Sequence, residues 1–320
     1  MKKILLTILV LAIIIIASGL TYIKFAMPNV GDPEVIEINT SPEHIQHGAY
    51  LANHVTVCMD CHSTRDWTLF SGPLEPGTLG KGGEHFGHEA GFPGDFYSKD
   101  ITPAGLKDWT NGEIFRTITT GVNKNNVALF PVMPYSHYGK MDREDIYDII
   151  AYIRSLPPIE NKIPARTIDF PMNFIVNTIP EKASFTKKPP VSDSVAYGGY
   201  LVNAASCVEC HTPADKGKIK TELSFSGGRE FKMPNGIVRT ANLTPDMNTG
   251  IGTWTVNNFL ERFKEYADPQ NIHKVTAKEV NTVMPWTMYA GMDSSDLRAI
   301  YLYLRTVKPI QNKVVHFEPQ

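Results

Sequence analysis

Cysteine is scarce in this chain: 320 residues contain four, and none lies near the apolar run at the N-terminus, which excludes a lipoprotein. Charge of one sign is missing too. The 31 basic and 33 acidic residues leave a formal net charge of −2, a balance that gives nucleic acid no basic surface to hold. The stretch Gly80-Lys81-Gly82-Gly83 lacks the Gly-Lys-Ser/Thr ending of a phosphate loop, which argues against a nucleotide site there. Long uninterrupted helices are not expected after the N-terminal run, because 23 prolines and 24 glycines punctuate the chain.

The four cysteines are all used in one pattern. Cys58-Met59-Asp60-Cys61-His62 recurs as Cys207-Val208-Glu209-Cys210-His211. C-x-x-C-H is the attachment signature of c-type haem. Two thiols three positions apart reach the vinyl groups on one porphyrin edge, and the next histidine supplies the proximal iron ligand. With 4 Cys and 10 His, one such pentad is expected by chance about 0.002 times, and two on the order of a millionth. A Cys₂His₂ zinc site needs ligands grouped from one segment pair, and a redox C-x-x-C does not call for a histidine after it. The reading is two covalently attached haem c, held by Cys58, Cys61, Cys207 and Cys210 with His62 and His211 on iron. The Gly/Pro-rich loop from Ser71 to Gly94 then reads as a cover over a haem edge, with His85 and His88 as surface histidines.

Met1-Lys2-Lys3 precedes an apolar run from Ile4 to about Ile23, close to the ~20 residues that cross a hydrocarbon core. The lysines stay cytoplasmic, so everything after the run is expected outside. Ala17-Ser18-Gly19 would serve as a signal-peptide cleavage site, but the run continues past it through Leu20 and Ile23. An uncleaved single-pass anchor is therefore favoured over a soluble periplasmic protein.

Order and spacing then show a duplication, with elements of residues 44–160 returning about 150 residues later. Gly48-Ala49-Tyr50-Leu51 returns as Gly198-Gly199-Tyr200-Leu201, and Ile101-Thr102-Pro103 as Leu243-Thr244-Pro245. Trp109-Thr110 returns as Trp254-Thr255, and Tyr152-Ile153-Arg154 as Tyr303-Leu304-Arg305. Ser41-Pro42 starts a helix that runs into the first pentad. Thr110 and Glu113 form a capping box with Trp109 stapled to Ile114. Asp142 caps a last helix that ends at Leu156-Pro157-Pro158. Glu230–Met233 and Ile237–Thr240 flank Pro234-Asn235-Gly236, a small hairpin. Residues 161–190 are a linker by composition, expected to lie along a domain surface through Phe170, Phe174 and Ile175. Tyr50, Tyr152, Tyr200 and Tyr303 are expected to pack each unit's first helix against its own last one.

The sixth iron ligand decides between electron carriage and chemistry at iron. Met133 and Met284 match between the units and sit in Met133-Pro134-Tyr135 and Met284-Pro285-Trp286, where proline stiffens the loop that presents the thioether. Met141 and Met292 also match, but each precedes an aspartate N-cap with a carboxylate at N3, so a hydrophobic staple explains them. His137 is a weaker rival, since its counterpart is Met288. Arg65 and Arg239 suit either propionates or solvent.

With these residues in place the chain resembles the class I cytochrome c superfamily, and within it the c-type cytochrome subunits of membrane-bound alcohol and gluconate dehydrogenases. The second unit carries most of the likeness: Cys207 to His211, Phe225-Ser226-Gly227-Gly228, Asn242-Leu243-Thr244-Pro245-Asp246, Gly250-Ile251-Gly252-Thr253-Trp254 and Met284-Pro285-Trp286. Those subunits are similar in carrying three haem pentads, where this chain has two. The resemblance implies a mainly α chain of two tandem class I cytochrome c domains behind an N-terminal transmembrane or signal helix. The expected organisation is 1–27 anchor or signal segment, 28–160 first domain, 161–190 linker and 191–320 second domain. The expected function is electron carriage outside the cytoplasmic membrane, from a dehydrogenase or quinol-linked donor to a cytochrome or oxidase acceptor. The competing class is a dihaem enzyme, peroxidase-like or sulfur-oxidising, which needs an iron that opens a coordination site or a distinctive ligand such as cysteine. No cysteine is left over, and both units offer a methionine.

Overall fold

The computed structural model describes residues 1–319. It opens with α1 (Lys2–Phe25), which has no buried residue and is, among the described residues, the one helix long and apolar enough to cross a membrane. An extended segment leads to α2 (Pro42–Tyr50), which continues as a π-helical turn over Leu51–Val55 and delivers the chain to α3 (Cys58–Cys61). After a long loop with strands β1 (His85–Phe86) and β2 (Gly94–Tyr97) come α4 (Asn111–Thr120), α5 (Tyr135–Tyr138) and α6 (Arg143–Ser155). The capping box at Thr110 and Glu113 forms as the sequence predicts, starting α4.

The second half repeats this order. α8 (Ser194–Ala204) leads to α9 (Cys207–Cys210), followed by α10 (Val256–Lys264), α11 (Trp286–Tyr289) and α12 (Ser294–Leu304). In both halves the first and last helices cross on a glycine. A Cβ on Gly48 would lie 1.8 Å from the Asp148 carbonyl oxygen, and one on Gly198 would lie 1.9 Å from that of Ala299. Only a hydrogen in place of the side chain lets the backbones approach this closely. Arg154 donates to the carbonyls of Leu106 and Trp109, and its counterpart Arg305 to those of Ile251 and Gly252. Thr102 and Thr244, both fully buried, each accept from a backbone N–H at the far end of their own half, at Ile159 and Ile310.

The segment between the halves lies against the first one, as its aromatic content suggested. Strand β3 (Thr167–Ile168) pairs with β2, short helix α7 (Met172–Ile175) follows, and Phe185 stacks on Phe115 at 5.3 Å. Strands β4 (Ala214–Asp215) and β5 (Lys218–Ile219) make a small ribbon after the second pentad. The expected hairpin is present as β6 (Glu230–Met233) and β7 (Gly236–Arg239), with β8 (Phe317–Pro319) added at the edge. Met233 pairs with Gly236, so the turn is Pro234-Asn235 and Gly236 already belongs to the strand.

The two halves interlock. One buried apolar cluster runs through both, from Leu51, Ile146 and Ile149 to Leu201, Leu297 and Leu304. Here one expectation fails. Tyr50 and Tyr200 do not serve their own unit's last helix; each reaches the other half's. Tyr50 donates to Asp296 at 2.7 Å, and Tyr200 to Asp145 at 2.5 Å. Each tyrosine oxygen also accepts the N–H of the other half's N-cap residue, Asp293 or Asp142. The carboxylates at N3, Asp296 and Asp145, are thus the acceptors of a two-fold latch. Tyr152 and Tyr303 stay within their halves: Tyr152 accepts from Asn53, and the Tyr303 ring lies on Gly199.

Candidate haem-binding site

Each pentad is set by the turn before it. Val57 and Ser206 take a left-handed backbone, φ 45° and 53°, and put the following Cys-x-x-Cys on one short helical turn. Behind each turn a buried tyrosine fixes the approach: Tyr138 donates to the Thr56 carbonyl at 3.0 Å and Tyr289 to that of Ala205 at 3.1 Å. None of the four cysteines is in a disulfide. The protein packed around them pushes the Cys58, Cys61 and Cys210 thiols up from their ordinary value, and that of Cys207 up to about 12.

The histidines are held in the same way in both halves. Nδ1 of His62 lies 2.6 Å from the Lys99 carbonyl, and Nδ1 of His211 lies 2.9 Å from that of Ala241. A carbonyl only accepts, so Nδ1 carries the proton and Nε2 keeps its lone pair. Burial lowers the pKa of both rings, which favours the neutral form that ligates iron. The carbonyls are brought in by the paired glycines. Gly82 N–H donates to the His62 carbonyl and Gly227 N–H to that of His211, at 2.9 and 2.8 Å. Both glycines have φ near +70° and lie so close to Lys99 or Ala241 that a Cβ would meet backbone at 2.4 to 2.5 Å. Within the loop from Ser71 to Gly94, Gly82 thus clamps the backbone that supports His62. Lys99 and Ala241 were missed in the sequence because a backbone carbonyl leaves no residue-type signal; their place two residues before Ile101-Thr102-Pro103 and Leu243-Thr244-Pro245 marks them.

Met133 and Met284 are half-buried against the shared apolar cluster, as are Cys58 and Cys207. Met141 and Met292 are fully buried at the starts of α6 and α12, where the staple reading put them. The methionine loops are supported across the interface. Ser71 Oγ, on the loop after the first pentad, donates to the Met284 carbonyl at 2.6 Å and accepts from Trp286 N–H at 3.0 Å. Asn281 receives Ser71 N–H and donates to the carbonyls of Trp67 and Leu69. In the other direction His137, on α5 after Met133, meets Glu209 inside the second pentad at 2.9 Å. That hydrogen bond holds the Glu209 carboxyl below the usual range.

Arg65 is not the solvent-exposed residue that one of its two expected readings allowed. Its side chain is buried, pairs with Asp60 at 2.9 Å and lies over the Trp67 ring. Burial still raises the Asp60 carboxyl to about 6 against the pull of Arg65. Arg239 pairs with Glu230 and Glu318. His85 and His88 are surface residues facing Asp95 and Asp169. The donor set at each pentad, two thiols on one turn and an imidazole with Nε2 free, suits covalent haem.

Comparison with known proteins agrees with this chemistry. Residues 195–308 match the cytochrome c family model. The chain is homologous to the cytochrome c subunit of alcohol dehydrogenase (quinone) from Gluconacetobacter polyoxogenes, at 25% identity over 83% of this chain and 56% of that one. It is likewise related to the fructose dehydrogenase cytochrome subunit of Gluconobacter japonicus, at 27% identity over 82% and 52%. A diheme cytochrome c-type protein of Cereibacter sphaeroides is 23% identical over 94% of this chain and 97% of its own length. The chain spans little more than half the length of the dehydrogenase subunits it matches. Residues 195–308 are thus a cytochrome c domain, which implies covalent haem c and an electron-transfer role.

Proposed function

We propose that this chain is a dihaem c-type cytochrome with two tandem cytochrome c domains, 28–160 and 191–320, joined by the 161–190 segment. One haem would be held by Cys58 and Cys61 with His62 and Met133 as axial ligands, the other by Cys207 and Cys210 with His211 and Met284. The observation that carries the reading is the matched pair of histidine supports, His62 on the Lys99 carbonyl and His211 on the Ala241 carbonyl. It gives the first half, which lies outside the matched residues 195–308, the same histidine support as the second.

Bound haem would supply one-electron chemistry, and thioether ligation raises its potential. The protein's part is to fix the imidazole tautomer, hold the methionine loops and keep the two units in one rigid interlock. Iron held by His62 with Met133, and by His211 with Met284, would suit passage of electrons rather than catalysis at iron. With α1 as a single-pass anchor, the relay lies outside the cytoplasmic membrane, between a dehydrogenase or quinol-linked donor and a cytochrome or oxidase acceptor.

The test is a spectrum of the purified full chain. Haem is counted per chain, the near-infrared methionine-to-ferric-iron band is quantified per haem, and carbon monoxide is added after reduction. Two haems, two bands and no carbon monoxide adduct are expected. Met133→Ala and Met284→Ala should each remove one band. A single band in the unaltered protein, with carbon monoxide binding, would overturn the reading in favour of a haem enzyme.

A further inference from the structure

Where α2 crosses α6, beside the Tyr200–Asp145 contact, the structure gathers donors that the proposed electron transfer does not use. His47 Nδ1 lies 2.7 Å from Asp148 Oδ2 and 3.9 Å from Asp145 Oδ1, and one donor atom from each of the three residues lies within 4.8 Å of the others. Neighbouring ligands on a tetrahedral zinc ion with bonds of about 2.0–2.1 Å stand about 3.3 Å apart. The measured pair brackets that value, so a shift of well under 1 Å in each contact reaches it.

The remaining oxygens of both carboxylates are already engaged from outside. His44 Nδ1 sits 2.5 Å from Asp148 Oδ1, and the Tyr200 hydroxyl donates to Asp145 Oδ2. Ligating carboxylates are oriented in this way by hydrogen bonds to their outer oxygens. Asp145 is 1% exposed, and the position of a cation beside it is taken by the Lys188 ammonium, 2.5 Å from Oδ1. Lys188 comes from the extended segment between the halves and is part-exposed, so it is free to swing into solvent.

The repeat supplies an internal control. The second half makes the same helix crossing on Gly198, yet it has Ser194, Tyr197 and Ala299 where the first has His44, His47 and Asp148. The crossing therefore does not need these side chains. Of the carboxylates only Asp145 is shared, with Asp296, because it serves the tyrosine latch.

We infer that His47, Asp148 and Asp145 form a binding site for a borderline divalent transition-metal cation such as zinc. His44 orients Asp148, and Lys188 holds the place of the cation in its absence. The bound ion would clamp the helix leading to the first pentad onto α6. A nitrogen-and-carboxylate set of this size also accepts copper(II) or nickel(II), and zinc is the redox-silent probe.

The test uses the haem-loaded full chain in detergent after treatment with a chelator. Zinc is titrated by calorimetry and by competition with a chromophoric chelator, and the thermal midpoint is followed with and without zinc. One site per chain is expected, with the midpoint raised by zinc. His47→Ala and the near-isosteric Asp148→Asn should abolish it, and His44→Gln should weaken it roughly 10–100-fold. Lys188→Gln should tighten it, an effect opposite in sign to any general damage. Haem content and midpoint without zinc show that each variant is folded. Absence of a site in the unaltered chain would overturn the assignment. So would binding that survives His47→Ala, or that is lost instead in a His85→Ala, His88→Ala double variant. These outcomes do not depend on the number or ligation of the haems.

Discussion

Tyr50 in the first half donates its phenol hydrogen to Asp296 in the second at 2.7 Å, and the mirror of that contact, Tyr200 to Asp145, is 2.5 Å long. The latch is completed by His54, whose ring meets the Met288 carbonyl, and by Asn203, which donates to that of His137. Two sequence repeats thus become a pseudo-symmetric pair in which each half's first helix is read by the other half's last.

Replacing Tyr50 with Phe removes the shorter of two tyrosine hydrogen bonds to a buried carboxylate, leaving Tyr197 at 3.4 Å, and should cost about 1.5–3 kcal/mol in denaturant unfolding. Burial raises the Asp296 pKa and the Tyr50 hydrogen bond lowers it. In the folded variant the carboxyl therefore titrates higher still. A raised carboxyl favours the folded state below its unfolded value and loses that advantage as pH rises through the folded value. The penalty of Tyr50→Phe should accordingly be full near neutral pH and shrink as the solution is acidified. A penalty that grows on acidification would contradict this account.

Gly48→Ala and Gly198→Ala would each normally gain about 1 kcal/mol in helix propensity. Here the added methyl group falls on backbone, at 1.8 and 1.9 Å, and the helices must part. Net destabilisation of about 1–3 kcal/mol or more is expected for both, measured as a lowered thermal midpoint. Similar losses at the two sites would establish that the halves share one crossing geometry.

Much of this was legible beforehand. The pentads, the Thr110–Glu113 cap, the hairpin and the packed intervening segment all follow from local rules, because the residues that signal them also make the contacts. The latch was not legible. A carboxylate three residues after an aspartate N-cap looks the same whether it serves its own helix or a tyrosine 55 or 246 residues away. The histidine supports were hidden for another reason, since Lys99 and Ala241 act through carbonyls that every residue has. His44, His47, Asp145 and Asp148 are spread over two helices, and only the crossing at Gly48 brings them together.

Ser71 links the first pentad's loop to the second methionine loop through two hydrogen bonds, to the Met284 carbonyl and from Trp286 N–H. Ser71→Ala removes both and leaves Trp286 N–H without its side-chain acceptor, at a cost of about 1–3 kcal/mol. If Met284 ligates the second haem, its near-infrared band should weaken while the band assigned to Met133 is unchanged. Equal loss at both haems would mean that the serine acts on the whole interface rather than on one loop.

Gly82→Ala probes the histidine support directly. Its φ of +68° disfavours any side chain, and the new Cβ would meet the Lys99 carbonyl carbon at 2.4 Å. Lys99 must move, and with it the oxygen that receives His62 Nδ1. A hydrogen bond from the non-ligating nitrogen raises the basicity of a histidine ligand, so its loss makes the ring a poorer donor. A poorer donor stabilises ferric iron less, so if His62 ligates a first haem, the potential of that haem should rise while that of the second stays put. Gly227→Ala should do the reverse through Ala241, where the approach is 2.5 Å. A redox titration of the two variants side by side reads both effects. A shift confined in each case to the haem of the altered half would tie the paired glycines to the iron through one carbonyl, and a shared shift would assign them to the fold as a whole.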